Sequence, residues 1–492
     1  MEAELKTLTA KSIKWNLVDK LATQVLYAVT GIVLACILPY EDFGLVGAIL
    51  IFQAFASLFI DSGFSSALIQ RKSPSDNDYS TVLWFNLSVA TFIYVILWFS
   101  APYIATLFQN DTRLIPLSRV MFLSFILNAS AIVQTNRLMK VMNVKPIAIT
   151  NSIGLIAGGA CGICLALNGY GAWSIVWQTV VTAATKSILL WITNKWLPTL
   201  SFSFVSLKSF FKVGSGVMVT SFLNTVFLNI FSFFIGNRLG MAQLGYYTQA
   251  DKWSKMGIMS VSQTLTSAFL PTLSSVQDDN ERFKRAVIKM NRFTAYILFP
   301  SIILLCLLAA PIFHTLFGNK WDMSIVLFQL LLIRGIFTIL IGLYSNYILS
   351  IAKTKMIMTI EIVKDALSLI ALFATLPMLA ISYDSDIVYG INIMLWGQII
   401  ASFVTYIIAL SIVCKHTNFS ILQFINHNVP YIAISVLCLL ISYQAAYLTS
   451  NPILLCILYT IIFVGIYLLT NTILKSQIQK EVLNYIFKKS QK

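Results

Sequence analysis

Twelve charged side chains of this 492-residue chain fall inside long apolar runs. The cations are Lys20, Arg119, Lys186, Lys252, Lys255, Arg334 and Lys364, and the anions are Asp19, Asp61, Asp251, Glu361 and Asp365. A charge at the centre of a bilayer costs roughly 2.5–3.5 kcal/mol even on lenient insertion scales, so each needs a partner, a watery cavity or a path to the headgroups. Cations outnumber anions, and Arg and Lys are the side chains suited to phosphate and pyrophosphate. The chemistry this set can do is therefore the binding of an anion.

Position along the runs sorts them. Lys20, Lys186 and Arg119 sit near helix ends, where long side chains can snorkel to the interface. Asp251 and Lys255 are i,i+4 neighbours, and Glu361 and Lys364 are i,i+3 neighbours, so both pairs can close on their own helix. Arg334, in "LFQLLLIRGIFTILIG", is too deep to snorkel and is read as a cavity residue. Asp61 keeps two readings, a partner for Lys20 or a cavity carboxylate. The substrate-cavity candidates are Arg334, Lys255, Lys252, Lys364, Asp61 and Arg119. Tyr246, Tyr247, Trp173, Trp177 and Trp253 are read mainly as an interfacial aromatic belt.

The elements that must position these groups are transmembrane helices. The chain is 58% hydrophobic and 11% charged, with a mean hydropathy of +0.81, against about 25% charged in soluble domains. Apolar runs long enough to cross a bilayer recur down the chain, and strand-type alternation is absent. About fourteen spans are predicted, the first over 14–38 and the last over 452–474, which makes an all-α integral membrane protein.

Net charge is +15. Alternating the spans from a cytoplasmic N-terminus puts twenty-four of the 34 basic residues on the cytoplasmic side and only Arg113, Arg238 and Lys320 outside. That asymmetry is the positive-inside signature, so both termini are expected in the cytoplasm and no nucleic acid is needed to explain the charge. Residues 1–13 and the tail "KSQIQKEVLNYIFKKSQK" are expected to be amphipathic helices on an anionic leaflet. No cleaved signal is expected; the first apolar run is itself a span. Cys161-x-x-Cys164 is a lone pair in an apolar run, with no second pair or histidine to make a metal or redox centre.

The chain repeats. "LPYEDFGLV" (38–46) matches "LGMAQLGYY" (239–247) at an offset of 201, and the same offset lays "SSALI" (65–69) on "TSAFL" (266–270). "TNRLMKVMNVK" (135–145) matches "SNYILSIAKTK" (345–355) at an offset of 210. Matched helices start on the same side, so the repeat is parallel, as in transporters with a site between two halves. The expected domains are an N-terminal six-helix bundle over 1–200, a C-terminal six-helix bundle over 201–415, and two extra helices with a basic tail over 416–492.

"FGLVGAILIFQAFASLFIDSGFSSALIQRK" (43–72), "QTNRLMKVMNVKPIAITNSIG" (134–154), "NGYGAWSIVWQ" (168–178) and "LGYYTQADKW" (244–253) resemble the polysaccharide exporters and lipid-linked oligosaccharide flippases of the multidrug/oligosaccharidyl-lipid/polysaccharide superfamily, with the colanic-acid-exporter-like branch fitting best. The resemblance implies two six-helix bundles around a V-shaped cavity. It implies flipping of an undecaprenyl-diphosphate-linked oligosaccharide across the bacterial inner membrane, for lipopolysaccharide, capsule or exopolysaccharide synthesis. A polysaccharide polymerase and glycosyltransferases are candidate partners. No cofactor or metal is expected, and no GxxxxGK[ST] segment is present for ATP. An ion gradient or consumption of the product would then drive transport, with Asp61, Glu361 and Asp365 as ion-coupling candidates.

Three other readings stay open. A peptidoglycan-precursor flippase shares the frame. A drug or cation antiporter would favour an anionic cavity, against the cationic excess here. A membrane polymerase or glycosyltransferase needs catalytic groups on a sizeable loop, whereas the outer loops are short and the acidic "DSD" (384–386) lies on the outer side.

Overall fold

A computed structural model describes residues 2–61, 64–274, 279–351, 353–379, 386–417 and 420–481. Among them the architecture is helical, without strands. The helices are α1 (Glu2–Ile37), α2 (Tyr40–Asp61), α3 (Phe64–Gln70), α4 (Asp76–Leu107), α5 (Leu114–Met121), α6 (Leu123–Lys140), α7 (Lys145–Leu167) and α8 (Trp173–Asn194). After these come α9 (Phe204–Arg238), α10 (Met241–Ser274), α11 (Asn280–Leu316), α12 (Asp322–Ser350), α13 (Thr354–Thr375), α14 (Tyr389–Thr417), α15 (Ile421–Tyr443) and α16 (Pro452–Ile473). Eleven helical segments among the described residues are long and apolar enough to cross a bilayer, where the sequence predicts about fourteen. Besides the seven-residue α3, the helices outside the eleven are α9, α10 and α13, the last carrying Lys355, Glu361, Lys364 and Asp365 within its 22 residues.

One expectation is corrected. Residues 2–13 are not a separate interfacial helix but the first turns of α1, which runs unbroken over 36 residues. No glycine or proline occurs before Gly31 to stop it. Of the expected amphipathic tail, residues 482–492 lie outside the described residues.

The chain divides into two compact units, Met1–Thr248 and Gln249–Lys492. In the first, α7 packs against α8 along Gly154, Gly158 and Gly162, spaced one turn apart. A Cβ on Gly158 would lie 2.0 Å from Thr182 Oγ1, and one on Gly162 would lie 3.0 Å from the Ser174 carbonyl. Small residues at four-residue spacing let two backbones approach where no hydrophobic effect drives them together. On the neighbouring face Gly159 admits Thr30 of α1.

The "GYGAW" turn that leads into α8 is explained by Asp42, buried near the start of α2. Its carboxylate accepts a hydrogen bond from the Ala172 backbone N–H. Gly171 adopts φ +55 there, and an added Cβ would lie 3.1 Å from Asp42 Oδ2. Gly171→Ala is expected to cost about 1–2 kcal/mol through the left-handed backbone alone, and Asp42→Ala about 1 kcal/mol through loss of the acceptor at the α8 start. Thermal unfolding of the purified protein measures both; wild-type stability for Gly171→Ala would reject this account.

The basic residues of "SSALIQRK" and "QTNRLMK" tie helix ends together. Arg137 pairs with Asp76 (2.8 Å) and stacks on Tyr79 and Trp196, with its guanidinium carbon 4.7 and 4.9 Å from the ring centroids. Arg71 pairs with Asp78 (3.1 Å), and Lys140 Nζ donates to the carbonyls of Ile69 and Arg71. The strap from α8 to α9 is fixed to α4 in the same region: Trp196 Nε1 donates to Asp76 (3.0 Å), Trp84 Nε1 to the Thr199 carbonyl (2.8 Å), and the Ser203 N–H to Thr81 (3.0 Å).

Also within this unit, the first turns of α2 and α10 meet. A Cβ on Gly44 would lie 1.8 Å from the Met241 carbonyl oxygen, and one on Gly245 would lie 1.9 Å from the Tyr40 carbonyl oxygen. Tyr40 stacks on Tyr246 at 4.5 Å. The contact is reciprocal: residues 40 and 44 meet 245 and 241, and the offset within each matched pair is 201.

In the second unit α11 packs on α12, α15 and α16, and α14 packs on α12 and α13. Asn291 on α11 donates to Asn428 on α15 (3.0 Å), and the Tyr467 hydroxyl on α16 donates to the Tyr296 carbonyl (2.8 Å). These buried hydrogen bonds fasten the last two long helices to α11. The structure also draws attention to a repeat that the matches above pass over. "SAPYIATLFQN" (100–110) and "AAPIFHTLFGN" (309–319) align at an offset of 209. Each places a proline inside a helix (Pro102, Pro311), then a buried phenylalanine at its end (Phe108, Phe317), then a left-handed residue (Gln109 at φ 58, Gly318 at φ 79).

Candidate functional site

The second unit carries most of the embedded charge. On α10, Lys255 Nζ sits 2.5 Å from Asp251 Oδ2, as the i,i+4 spacing predicts. Lys252, one residue past Asp251 and so on another face, lies over the Trp253 ring at 5.2 Å. On α13, Lys364 is bonded to Glu361 and lies 3.9 Å from Asp365. Both lysines are thus compensated by carboxylates of their own helix.

Arg334 on α12 is held differently. Its Nη1 donates to Gln398 Oε1 of α14, and among the described residues no carboxylate pairs with it. Gln398 is 3% exposed, and its Nε2 has no hydrogen-bond partner among the described atoms. A neutral amide orients the guanidinium without cancelling its charge, which leaves the remaining N–H donors of the fork available to an acceptor. The next residue explains how α12 reaches α10: Ile258 of α10 fills the notch at Gly335, where a Cβ would lie 2.4 Å from its Cδ1. Lys255 is three residues before Ile258, so α10 brings Lys255 within about one turn of the level of Arg334.

The first unit places the other candidates. Arg119 on α5 stacks on Trp98 of α4 at 4.8 Å and donates from Nε to the Trp98 carbonyl (3.3 Å). Asp61 is the last residue of α2; its side chain lies outside the described residues. Asp19 on α1 accepts from the Asn151 amide of α7 at 3.1 and 3.2 Å, while Lys20 is exposed. Cys161 and Cys164 are free thiols on α7. No cluster of metal-ligating residues occurs among the described residues. Outside the apolar segments, hydrogen bonds from Arg113 hold the Asp111 carboxyl below the usual carboxylate range, and the pairing raises the arginine in turn.

Sequence reasoning overlooks Gln398, because an amide in an apolar run carries no charge to attract notice. Its only signal is polarity at a position that cannot snorkel. Asn151, the amide partner of Asp19, is overlooked for the same reason.

The polysaccharide biosynthesis protein family matches residues 33–327. A succinoglycan biosynthesis transport protein, ExoT of Rhizobium meliloti (strain 1021), is 28% identical over 334 residues, 68% of this chain and 67% of that protein. A lipopolysaccharide biosynthesis protein, WzxC of Escherichia coli (strain K12), is 24% identical over 334 residues, 68% of each chain. Among solved structures, the lipid II flippase MurJ in its inward closed conformation superposes with a TM-score of 0.72 at 17% identity, covering 94% of this chain and 98% of that one. At that identity the likeness is one of fold.

Proposed function

The chain belongs to the polysaccharide biosynthesis protein family, and from that premise we propose that it flips undecaprenyl-diphosphate-linked oligosaccharide repeat units across the bacterial cytoplasmic membrane. The reading is one of transport and not catalysis. The observation that carries it is Arg334, an embedded cation held by a neutral amide. A diphosphate headgroup leaving water needs a positive partner whose charge is not already spent on a carboxylate. Lys252 is a further cation of this site, Lys255 and Lys364 would join it by exchanging their carboxylate partners Asp251 and Glu361 for the diphosphate, and Asp61, Glu361 and Asp365 are the carboxylates that would couple an ion. An inside-negative potential favours outward movement of the anion by about 2.3 kcal/mol per charge per 100 mV.

The architecture that goes with this function counts α9, α10 and α13 as spans, giving fourteen: bundles over 1–200 and 201–415, with the remainder over 416–492. The reciprocal contact of Gly44 and Gly245 at a constant offset supports the repeat, since a two-fold operation generates paired contacts of this kind. The basic excess on one side supports cytoplasmic termini.

The test is accessibility of the lipid-linked repeat unit. In cells lacking the chain, the repeat unit is expected to collect on the cytoplasmic leaflet, out of reach of a membrane-impermeant oxidant applied outside. In vesicles, the purified chain is expected to expose a labelled undecaprenyl-diphosphate oligosaccharide to that oxidant. Normal exposure without the chain would reject the proposal. Transport of only a peptidoglycan precursor in the same vesicles would reassign the cargo.

A further inference from the structure

The second unit holds a cavity of about 330 Å³ at the start of α15 and the end of α16, beside α11, and Arg334 is not among the residues that line it. Arg292, His427, Tyr431, Asn471, Lys475 and Ser476 are among the residues that line it, and none of its lining residues is acidic. Arg292 Nη2 lies 2.6 Å from His427 Nε2. Because the guanidinium can only donate, His427 is neutral in this arrangement, with its proton on Nδ1. The imidazole thus fixes the arginine while leaving its charge whole. No ion pair engages Arg292 or Lys475 among the described residues. Lys475 follows the end of α16 in a left-handed conformation (φ 51), which turns the chain back toward the cavity. The Tyr431 and Ser476 hydroxyls, 3.5 Å apart, add neutral donors.

The surroundings say what kind of molecule brings the anion. On the lengths of α15 and α16 that lead away from the cavity, Val436, Leu440, Ile461 and Leu469 are 44–65% exposed, an apolar surface that suits acyl chains. A positive cavity at the ends of helices whose outward faces are greasy matches an amphiphile with a phosphate head. We propose that this cavity binds the phosphate of an anionic membrane lipid, held by Arg292 and Lys475, at a site separate from the one that Arg334 marks.

The test uses the purified full chain, stripped of lipid in detergent and titrated with phosphatidylglycerol or with phosphatidylcholine of the same acyl chains. Native mass spectrometry reads retention and thermal unfolding reads stabilisation. Phosphatidylglycerol is expected to be retained about tenfold more strongly, because phosphatidylcholine carries a choline cation beside its phosphate that Arg292 and Lys475 repel, and to raise the unfolding temperature. Arg292→Gln and Lys475→Gln are each expected to remove most of that preference. Lys475 is exposed beyond its helix, so its variant reads binding and not folding. Inorganic phosphate at the same concentrations is expected to leave the unfolding temperature unchanged. Equal retention of the two lipids, or an undiminished preference in Lys475→Gln, would overturn the proposal. A shift produced by inorganic phosphate alone would overturn the lipid as the source of the phosphate.

Discussion

A Gln398→Glu variant is expected to lose polysaccharide export while remaining folded at normal levels in the membrane. The substitution is nearly isosteric and keeps an acceptor for Arg334. It places a carboxylate where the structure has a neutral amide, so the guanidinium becomes half of an ion pair. A charge-assisted hydrogen bond is worth about 1.5–3 kcal/mol, so an anionic headgroup that depended on Arg334 would bind roughly 10- to 150-fold more weakly. Gln398→Leu separates charge from orientation: the arginine keeps its charge but loses its anchor, and a smaller loss is expected. Arg334→Gln should match Gln398→Glu, and combining the two should be no worse than either. Surface polysaccharide measured at matched protein levels decides it. Full export in both single variants would remove Arg334 from the transport site, whatever the fold.

The second large effect is expected at the α2–α10 contact. Alanine at Gly44 would set a Cβ 1.8 Å from the Met241 carbonyl oxygen, and alanine at Gly245 would set one 1.9 Å from the Tyr40 carbonyl oxygen. Both obstacles are backbone, so no rotamer change relieves them and the two helices must separate. Overpacking of this kind costs about 1–3 kcal/mol. Each single variant should lower the unfolding temperature of the purified protein and weaken export. The double variant is the sharper measurement. Once the helices have parted for one methyl, the second enters at little cost, so the double should be only slightly less stable than either single. Additive losses would mean that the two glycines act independently and that the reciprocal packing does not hold these turns together.

Much of this was legible before any coordinates. A bilayer forces spans to be apolar, so segment positions follow from composition. Helix geometry forces the neighbours of a charge, so Lys255–Asp251 and Lys364–Glu361 follow from spacing alone. The partner of Arg334 was not legible, because it depends on which residue of α14 faces α12, and that is set by how the helices pack and not by either sequence. Arg119 shows the same division. Its nearness to a helix end suggested snorkelling, but only the packing of α5 on α4 puts it over Trp98. The continuity of α1 was legible in the absence of a breaker before Gly31, since polar residues alone do not end a helix. The Pro102/Pro311 repeat was equally visible in the sequence.

The strap from Lys195 to Ser203 bears on how the protein can be handled. A connector between helices invites protein engineers to place a reporter or a cleavage site there. In this chain Trp196, Thr199 and Ser203 are all bonded to α4, so a fluorescent insertion would prise away a piece of the first unit instead of lengthening a loose join. The turn around Thr449 and Ser450, between α15 and α16, has Ser450 exposed and, among the described residues, only the local bond from Asn451 N–H to Thr449; it offers the gentler place for a label.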